Sequence, residues 1–215
     1  MEIIKLVAIF FAAYLLGSIP TAVWTGKLFH GIDVREHGSG NAGATNVIRV
    51  LGWKTGVPVL LIDMAKGWLA ASLPVIFHLA PEGSSHLVNL QMLAGLCAVI
   101  GHIFPVFAGF RGGKGVAAIT GVVLSIHPLV TLTCFLVFII VLLVTGYVSV
   151  SSMTAGIVFP LSMFLFFDTP SPFFKVSALF VSVALIITHR KNIKRLLRGE
   201  ESKFIRRGKS TKQSG

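Results

Sequence analysis

Seven apolar runs, at residues 3–24, 56–80, 87–108, 116–126, 129–147, 153–167 and 173–188, take up most of the chain. Several reach the roughly 20 residues that an α-helix needs to cross hydrocarbon. A backbone in that medium has no water to bond, so each run must satisfy its own N–H and C=O groups by being helical. Hydrophobic residues make up 54% of the 215 and charged residues only 13%, too little polar surface for a soluble domain of this size. Lys and Arg outnumber Asp and Glu by 19 to 8. That excess lies at the ends of apolar runs and in the stretch from Arg190 onward, which is how a membrane protein anchors its loops and not how a nucleic-acid-binding surface is built. Cys97 and Cys134 fall inside apolar runs and read as small core residues, not as a disulfide.

Charge parity sets the expected topology. The fourth run, about 11 residues long, is short for a pass and could be re-entrant. Counting it as a pass places residues 26–55, 109–115, 146–152 and 189–215 on one side, with nearly all the Lys and Arg. The opposite side receives residues 81–86, 127–128 and 168–172, which contain neither. Leaving it out would send the basic C-terminus across the membrane, against the positive-inside tendency. The expected fold is therefore an all-α polytopic helix bundle of seven transmembrane helices, N-terminus outside and C-terminus cytoplasmic. Trp24, Trp53 and Tyr147 then sit at the cytoplasmic interface, where amphipathic rings belong. Lys5 gives the first run the look of a signal peptide, but cleavage would leave an even number of passes and reverse the topology, so the run is expected to stay. The partition is a single transmembrane catalytic domain, residues 1–197, and a basic, disordered cytoplasmic tail, residues 198–215.

Three polar clusters fall on the cytoplasmic side. The first, Gly38 to Asn46 followed by Arg49, combines glycines with Ser39, Asn41, Thr45 and Asn46. Glycine backbones can turn several N–H groups toward one anion, and Arg49 adds a forked positive charge. Gly38, Gly40 and Gly43 formally match a dinucleotide fingerprint, which needs a βαβ unit that is not available here. The second cluster, Gly109 to Gly115 with Arg111 and Lys114, opens the fourth helix and resembles a phosphate cradle at a helix N-terminus. It is not a nucleotide P-loop: Ala108 stands where the first glycine belongs, and Gly115 replaces the magnesium-binding hydroxyl. The third, His189 to Arg195, brings His189 and Asn192 onto one helical face; its exposed cations read as a basic stop sequence. Asp63 and Lys66 lie one turn apart in the second run, roughly 15 Å past Trp53 by helical rise. An isolated charge at that depth costs at least about 2.5 kcal/mol, so the two are expected to pair, as a structural ion pair or as a wall of the site. His102 reads as a hydrogen-bonded interior histidine, and no His, Cys or carboxylate cluster has metal-ligand spacing.

These clusters describe a membrane bundle with two anion cradles and a cationic group on one face; they do not by themselves name a reaction. The ordered motifs do more. Ser-Gly-Asn-x-Gly-Ala-Thr-Asn-x-x-Arg at 39–49, Gly-His-x-Phe-Pro at 101–105 with Gly-Gly-Lys-Gly at 112–115, and His-Arg-x-Asn-Ile-x-Arg-Leu at 189–196 resemble the bacterial acyl-phosphate:glycerol-3-phosphate acyltransferases, over nearly the whole chain to about Glu200. The resemblance implies an inner-membrane enzyme facing the cytoplasm. It would transfer a fatty acyl group from acyl phosphate to the 1-hydroxyl of glycerol 3-phosphate, giving lysophosphatidic acid and inorganic phosphate, the first acylation of phospholipid synthesis. It implies active-site roles for Ser39, Arg49, Lys114, His189 and Asn192. Substrate contacts are expected at Gly40, Asn41, Gly43, Thr45, Asn46, Lys66, Gly112, Gly113 and Gly115, with Asp63 and Glu200 structural. No cofactor, metal or nucleic acid is expected; the partners are the two substrates and membrane lipid, and the chain is expected to function as a monomer. The His-x-x-x-x-Asp pair of acyl-CoA-dependent acyltransferases occurs nowhere in the chain. The general base stays open between His189 and a phosphate oxygen of the donor. A transporter for a phosphorylated solute is the rival reading, but it should show inverted repeats and broken midplane helices.

Overall fold

The computed structural model describes residues 2–204, and among these every regular element is helical. Ten α-helices follow in order: α1 (Glu2–Gly17), α2 (Thr21–His30), α3 (Ala44–Leu51), α4 (Trp53–Ile76), α5 (Ser85–Ile103), α6 (Val116–Ile126), α7 (Pro128–Thr145), α8 (Val148–Leu165), α9 (Pro172–Thr188) and α10 (Arg190–Leu197). Each of the seven apolar runs overlaps one helix, α1, α4, α5, α6, α7, α8 or α9, with the first also reaching into α2. Four spans are long and apolar enough to cross a membrane alone, and six if the bent pairs α1–α2 and α9–α10 each count as one. The 11 residues of α6 cover only about half of a 30 Å hydrocarbon core.

The first run is not one helix. It breaks after Gly17 and turns by 42° into α2. Pro20 has no N–H to give the helix and restricts Ile19, so the ladder stops there. At this corner the Ile19 carbonyl accepts from the Thr21 N–H at 3.0 Å and also from Lys66 Nζ at 2.9 Å. The last run bends by 54° at His189, which ends α9 and caps α10; Asn192 lies in the first turn of α10, its N–H donating to the His189 carbonyl at 2.8 Å, and both side chains are buried. The sequence of α10, RKNIKRLL, is too polar to continue a span, so the membrane segment ends with α9.

Close helix crossings hold the bundle. Where α4 meets α6, a Cβ on Gly67 would overlap the Ala118 carbonyl, and one on Gly121 would overlap that of Met64. Small residues of this kind let backbones approach in lipid, where hydrophobic attraction between helices is absent. The central core runs through Met92, Val122, Val130, Met163 and Phe174, all fully buried. The ordered chain also continues past α10. Residues 198–204, placed by the sequence in a disordered tail, fold back across the end of the bundle that carries the three polar clusters: Phe204 N–H donates to Gly146 O at 2.8 Å, and its ring meets Trp53 edge-on at 5.2 Å. The rest of that expected tail, residues 205–215, lies outside the described residues.

Candidate active site

The first cluster is a loop closed on one asparagine. Gly38 and Gly40 adopt left-handed φ values of 59° and 72° on either side of Ser39. That turn brings Ser39 N–H to 2.8 Å and its hydroxyl to 3.1 Å from Asn46 Oδ1. Asn46 Nδ2 in turn donates to the carbonyls of Val34 and His37. The Asn46 amide is therefore engaged on both sides and holds the loop closed, while the residue itself still borders the main cavity. Because the Ser39 N–H already satisfies Asn46, the Ser39 hydroxyl can turn to another acceptor at little cost. Arg49, on α3 and exposed, makes no ion pair among the described residues. Upstream, Asp33 clamps Arg35 at 2.7 Å, and this hydrogen bond pulls the Asp33 carboxyl far below its usual range; Arg35 also donates to Ala108 O, tying the first loop to the second.

The second cluster corrects a simple picture of a glycine cradle. The N–H groups of Gly112 and Gly113 donate to the carbonyls of Ile103 and His102, at 3.1 Å each. A Cβ at Gly113 would strike the His102 ring, and one at Gly112 the His102 carbonyl. These two glycines allow the loop to lie against the end of α5, and their donors are not free for a ligand. Gly115, at φ 85°, caps α6, so the open donors are the first-turn N–H groups behind it, beginning with Val116.

The third cluster meets the second across the bundle. Lys114 Nζ donates to Asn192 Oδ1, and Asn192 Nδ2 donates to Glu201 Oε1 at 2.6 Å. Glu201 Oε2 accepts from Arg195 Nε at 2.9 Å. The carboxylate that organises this end is Glu201; Glu200, chosen from the sequence as structural, is exposed. His189 Nδ1 lies 2.7 Å from Leu185 O, which only accepts, so Nδ1 carries the proton and Nε2 is left with its lone pair. Burial and, secondarily, the Lys114 charge lower the His189 pKa to about 4. Burial also lowers that of Lys114, to about 8, with Glu201 acting in the opposite direction.

Asp63 and Lys66 pair as expected, at 2.8 Å, with side chains 2% and 5% exposed; His102 Nδ1 lies 3.6 Å from the same carboxylate oxygen. The placement is asymmetric. Asp63 and His102 reach the main cavity, whereas Lys66 lies behind that wall against Ile19, so the expected substrate contact at Lys66 is not available. No group of three potential metal ligands occurs among the described residues.

All three clusters open onto one cavity of about 420 Å³. Its polar end carries Ser39, Asn41, Thr45, Arg49, Lys114, His189 and Asn192, with Gly43 and Gly115 also on the wall; Gly40 is not on it. The other end is apolar and runs between α6, α7, α8 and α9. Comparison with known proteins decides the lineage. The family model described as glycerol-3-phosphate acyltransferase matches residues 7–199. The chain belongs to the glycerol-3-phosphate acyltransferase family. Relatives named glycerol-3-phosphate acyltransferase include one from Chlorobaculum tepidum, 45% identical with 92% of this chain and 95% of that protein covered, and one from Chlorobium luteolum, 42% identical with 93% and 96% covered. Among solved structures, the integral membrane glycerol 3-phosphate acyltransferase PlsY in its glycerol 3-phosphate form aligns with a TM-score of 0.83 at 40% identity, covering 94% of this chain and 96% of that one. Its lysophosphatidic acid form aligns with a TM-score of 0.76 at 38% identity, covering 93% and 95%.

For a glycerol-3-phosphate acyltransferase, two residues on this wall escaped the sequence reading. Glu201 sits beside an identical residue, and nothing local separates the two. Ser149, near the start of α8, is 4% exposed with a hydroxyl that has no hydrogen-bond partner, and it lines the cavity. Its only signal was a hydroxyl at a membrane-helix N-terminus, which ordinary Ser-rich helix starts also give.

Proposed function

We propose that the protein transfers a fatty acyl group from acyl phosphate to the 1-hydroxyl of glycerol 3-phosphate, releasing lysophosphatidic acid and inorganic phosphate. The observation that carries this is one cavity with two unlike ends, cationic at the loops and hydrocarbon between the helices. Acyl phosphate has that same division, with its reactive carbonyl at the junction. The substrate hydroxyl attacks this carbon, an oxyanion forms, the bond to phosphate oxygen breaks, and the hydroxyl proton leaves with phosphate. The mixed anhydride is already activated, so stabilising charge matters more than strong acid catalysis. In this reading Lys114 and Arg49 hold phosphate charge, the α6 N-terminus and Ser39 donate to developing oxyanions, and Asn192 is fixed by Glu201 to keep Lys114 aimed. The unpartnered Ser149 hydroxyl adds a donor on the opposite wall. Purified protein supplied with acyl phosphate and glycerol 3-phosphate should form lysophosphatidic acid, with no product from an acyl thioester; transfer from the thioester alone would overturn the donor assignment.

His189 serves as an orienting group and the donor phosphate as the proton acceptor. A ring whose pKa lies near 4 is a weak base at neutral pH, while its Nε2 can still accept a hydrogen bond from the attacking hydroxyl. His189→Asn should therefore lose less than about 10²-fold in turnover, below the roughly 10²–10⁴-fold that one acid–base group contributes. In the parent, kcat/KM should fall as pH rises through about 8, where Lys114 loses its charge, with no imidazole limb between pH 6 and 7. A fully inactive His189→Asn with normal substrate binding would instead make His189 the obligate base.

We further infer seven passes with the N-terminus outside, in the cytoplasmic membrane, and a working monomer, since one chain supplies the whole cavity wall. Lys5 Nζ bonds Phe77 O, which sets the start of α1 beside the end of α4, and the 81–86 loop follows on that side. Single cysteines at 39 and 114 should label from the cytoplasm and those at 84 and 170 from outside; labelling of 39 and 114 from opposite faces would break this topology.

A further inference from the structure

At the apolar end the cavity wall is bounded by one side chain from each of four helices, Val123 of α6, Thr131 of α7, Phe159 of α8 and Val181 of α9, with the lipid-exposed Phe135 on its flank. These are the lining residues farthest along each helix from the loop clusters. Beneath them the fully buried Val130, Met163 and Phe174 fill the space, and Phe174 meets the Phe159 ring at 6.0 Å. Thr131 is polar but 8% exposed, its hydroxyl turned back to the His127 carbonyl one turn earlier, so it presents a methyl group to the cavity floor at no polar cost.

Resting on the acyl-transfer reading, we propose that this four-residue ring is the stop that sets the longest acyl chain the site accepts in extended form. Counting residues from Lys114 to Val123, Leu142 to Thr131, Val148 to Phe159 and His189 to Val181, the helical rise gives a depth of roughly 12–16 Å. An extended chain advances about 1.2 Å per atom, a third of the rise of a three-atom backbone residue, so about 10–13 chain atoms fit below the carbonyl. Acyl groups of about 11–14 carbons therefore reach the ring, and longer ones must bend. The discrimination is by exclusion. A donor arriving from lipid gains little by burying another methylene in protein, because lipid is as apolar as the floor. Pressing one more group against a filled core costs far more.

Two substitutions at different depths test the stop in the full-length protein. Thr131→Phe raises the floor. Ala155→Phe intrudes four residues nearer the mouth than Phe159, about 6 Å by helical rise, or some five chain atoms. Each variant is compared with the parent using acyl phosphates of about 8 to 18 carbons, so that differences in donor partitioning cancel in the ratio. Thr131→Phe should lose about tenfold or more in relative kcat/KM only for the longest donors. Ala155→Phe should lose the intermediate donors as well, and both should keep the shortest near the parent rate. Retained short-chain activity also shows that the variant is folded. Profiles parallel to the parent, or a uniform loss in both variants, would overturn the stop, as expected if the chain leaves sideways past the lipid-exposed Phe135. A parent inactive with every acyl phosphate would instead remove the acyl-transfer reading beneath it.

Discussion

Lys114→Ala should lower kcat/KM for acyl transfer by about a thousandfold or more while leaving an inserted, folded protein. A single preorganised donor to a developing oxyanion is worth about 10²–10³ in rate, and Lys114 adds a full charge in a half-buried loop. It also links the two halves of the site: its ammonium donates to Asn192, 78 residues away, while its carbonyl accepts from the Thr188 hydroxyl. Removing it leaves Asn192 Oδ1 without that donor, a loss of about 1–3 kcal/mol that a bundle of this size should survive. The measurement is kcat/KM beside thermal unfolding in the same detergent. Near-normal activity in a folded variant would take the second cluster out of the chemistry. Arg49→Ala should also be severely impaired, but as a loss of phosphate binding, because Arg49 has no ion pair among the described residues to disturb.

Asp63→Ala carries the largest expected loss of stability, about 3–5 kcal/mol. It strands Lys66, whose side chain is 5% exposed and whose only other partner among the described residues is the carbonyl of Ile19. Removing one member of a buried pair leaves an uncompensated charge, whereas replacing both with apolar residues of similar volume often costs little. Asp63→Leu combined with Lys66→Met should therefore unfold at a higher temperature than Asp63→Ala alone. A double variant as unstable as the single would mean that the pair holds the α1–α2 corner through its geometry and not through charge balance. Asp63 also faces the cavity, so the double variant's activity separates the two roles: full stability with raised KM would place the carboxylate in substrate binding.

The all-helical membrane class follows from the sequence alone, because burying backbone in hydrocarbon leaves few solutions and the apolar runs are nearly continuous. The nearness of Asp63 and Lys66 also follows, since one helical turn fixes it. Local spacing likewise marked Ser39, Lys114, His189 and Asn192, and glycine-flanked cations beside membrane helices are rare enough to stand out. What the sequence could not hold was the destination of each hydrogen bond. Gly112 and Gly113 look like free donors until the end of α5 comes down on them. That Asn46 spends its amide on closing the loop shows only in the fold, and Glu200 and Glu201 differ only once the chain folds back from α10. The break at Pro20, inside a run taken from the sequence as one pass, exposes a corner whose Ile19 carbonyl becomes a partner for Lys66, 47 residues later. The cavity is the extreme case. Its cationic mouth and apolar floor come from seven segments spread between Ser39 and Phe204, and only packing brings them to one volume. Sequence periodicity fixes contacts within a turn or two of helix; partners tens of residues apart are chosen by which helix faces meet, and that is settled by the tertiary fold.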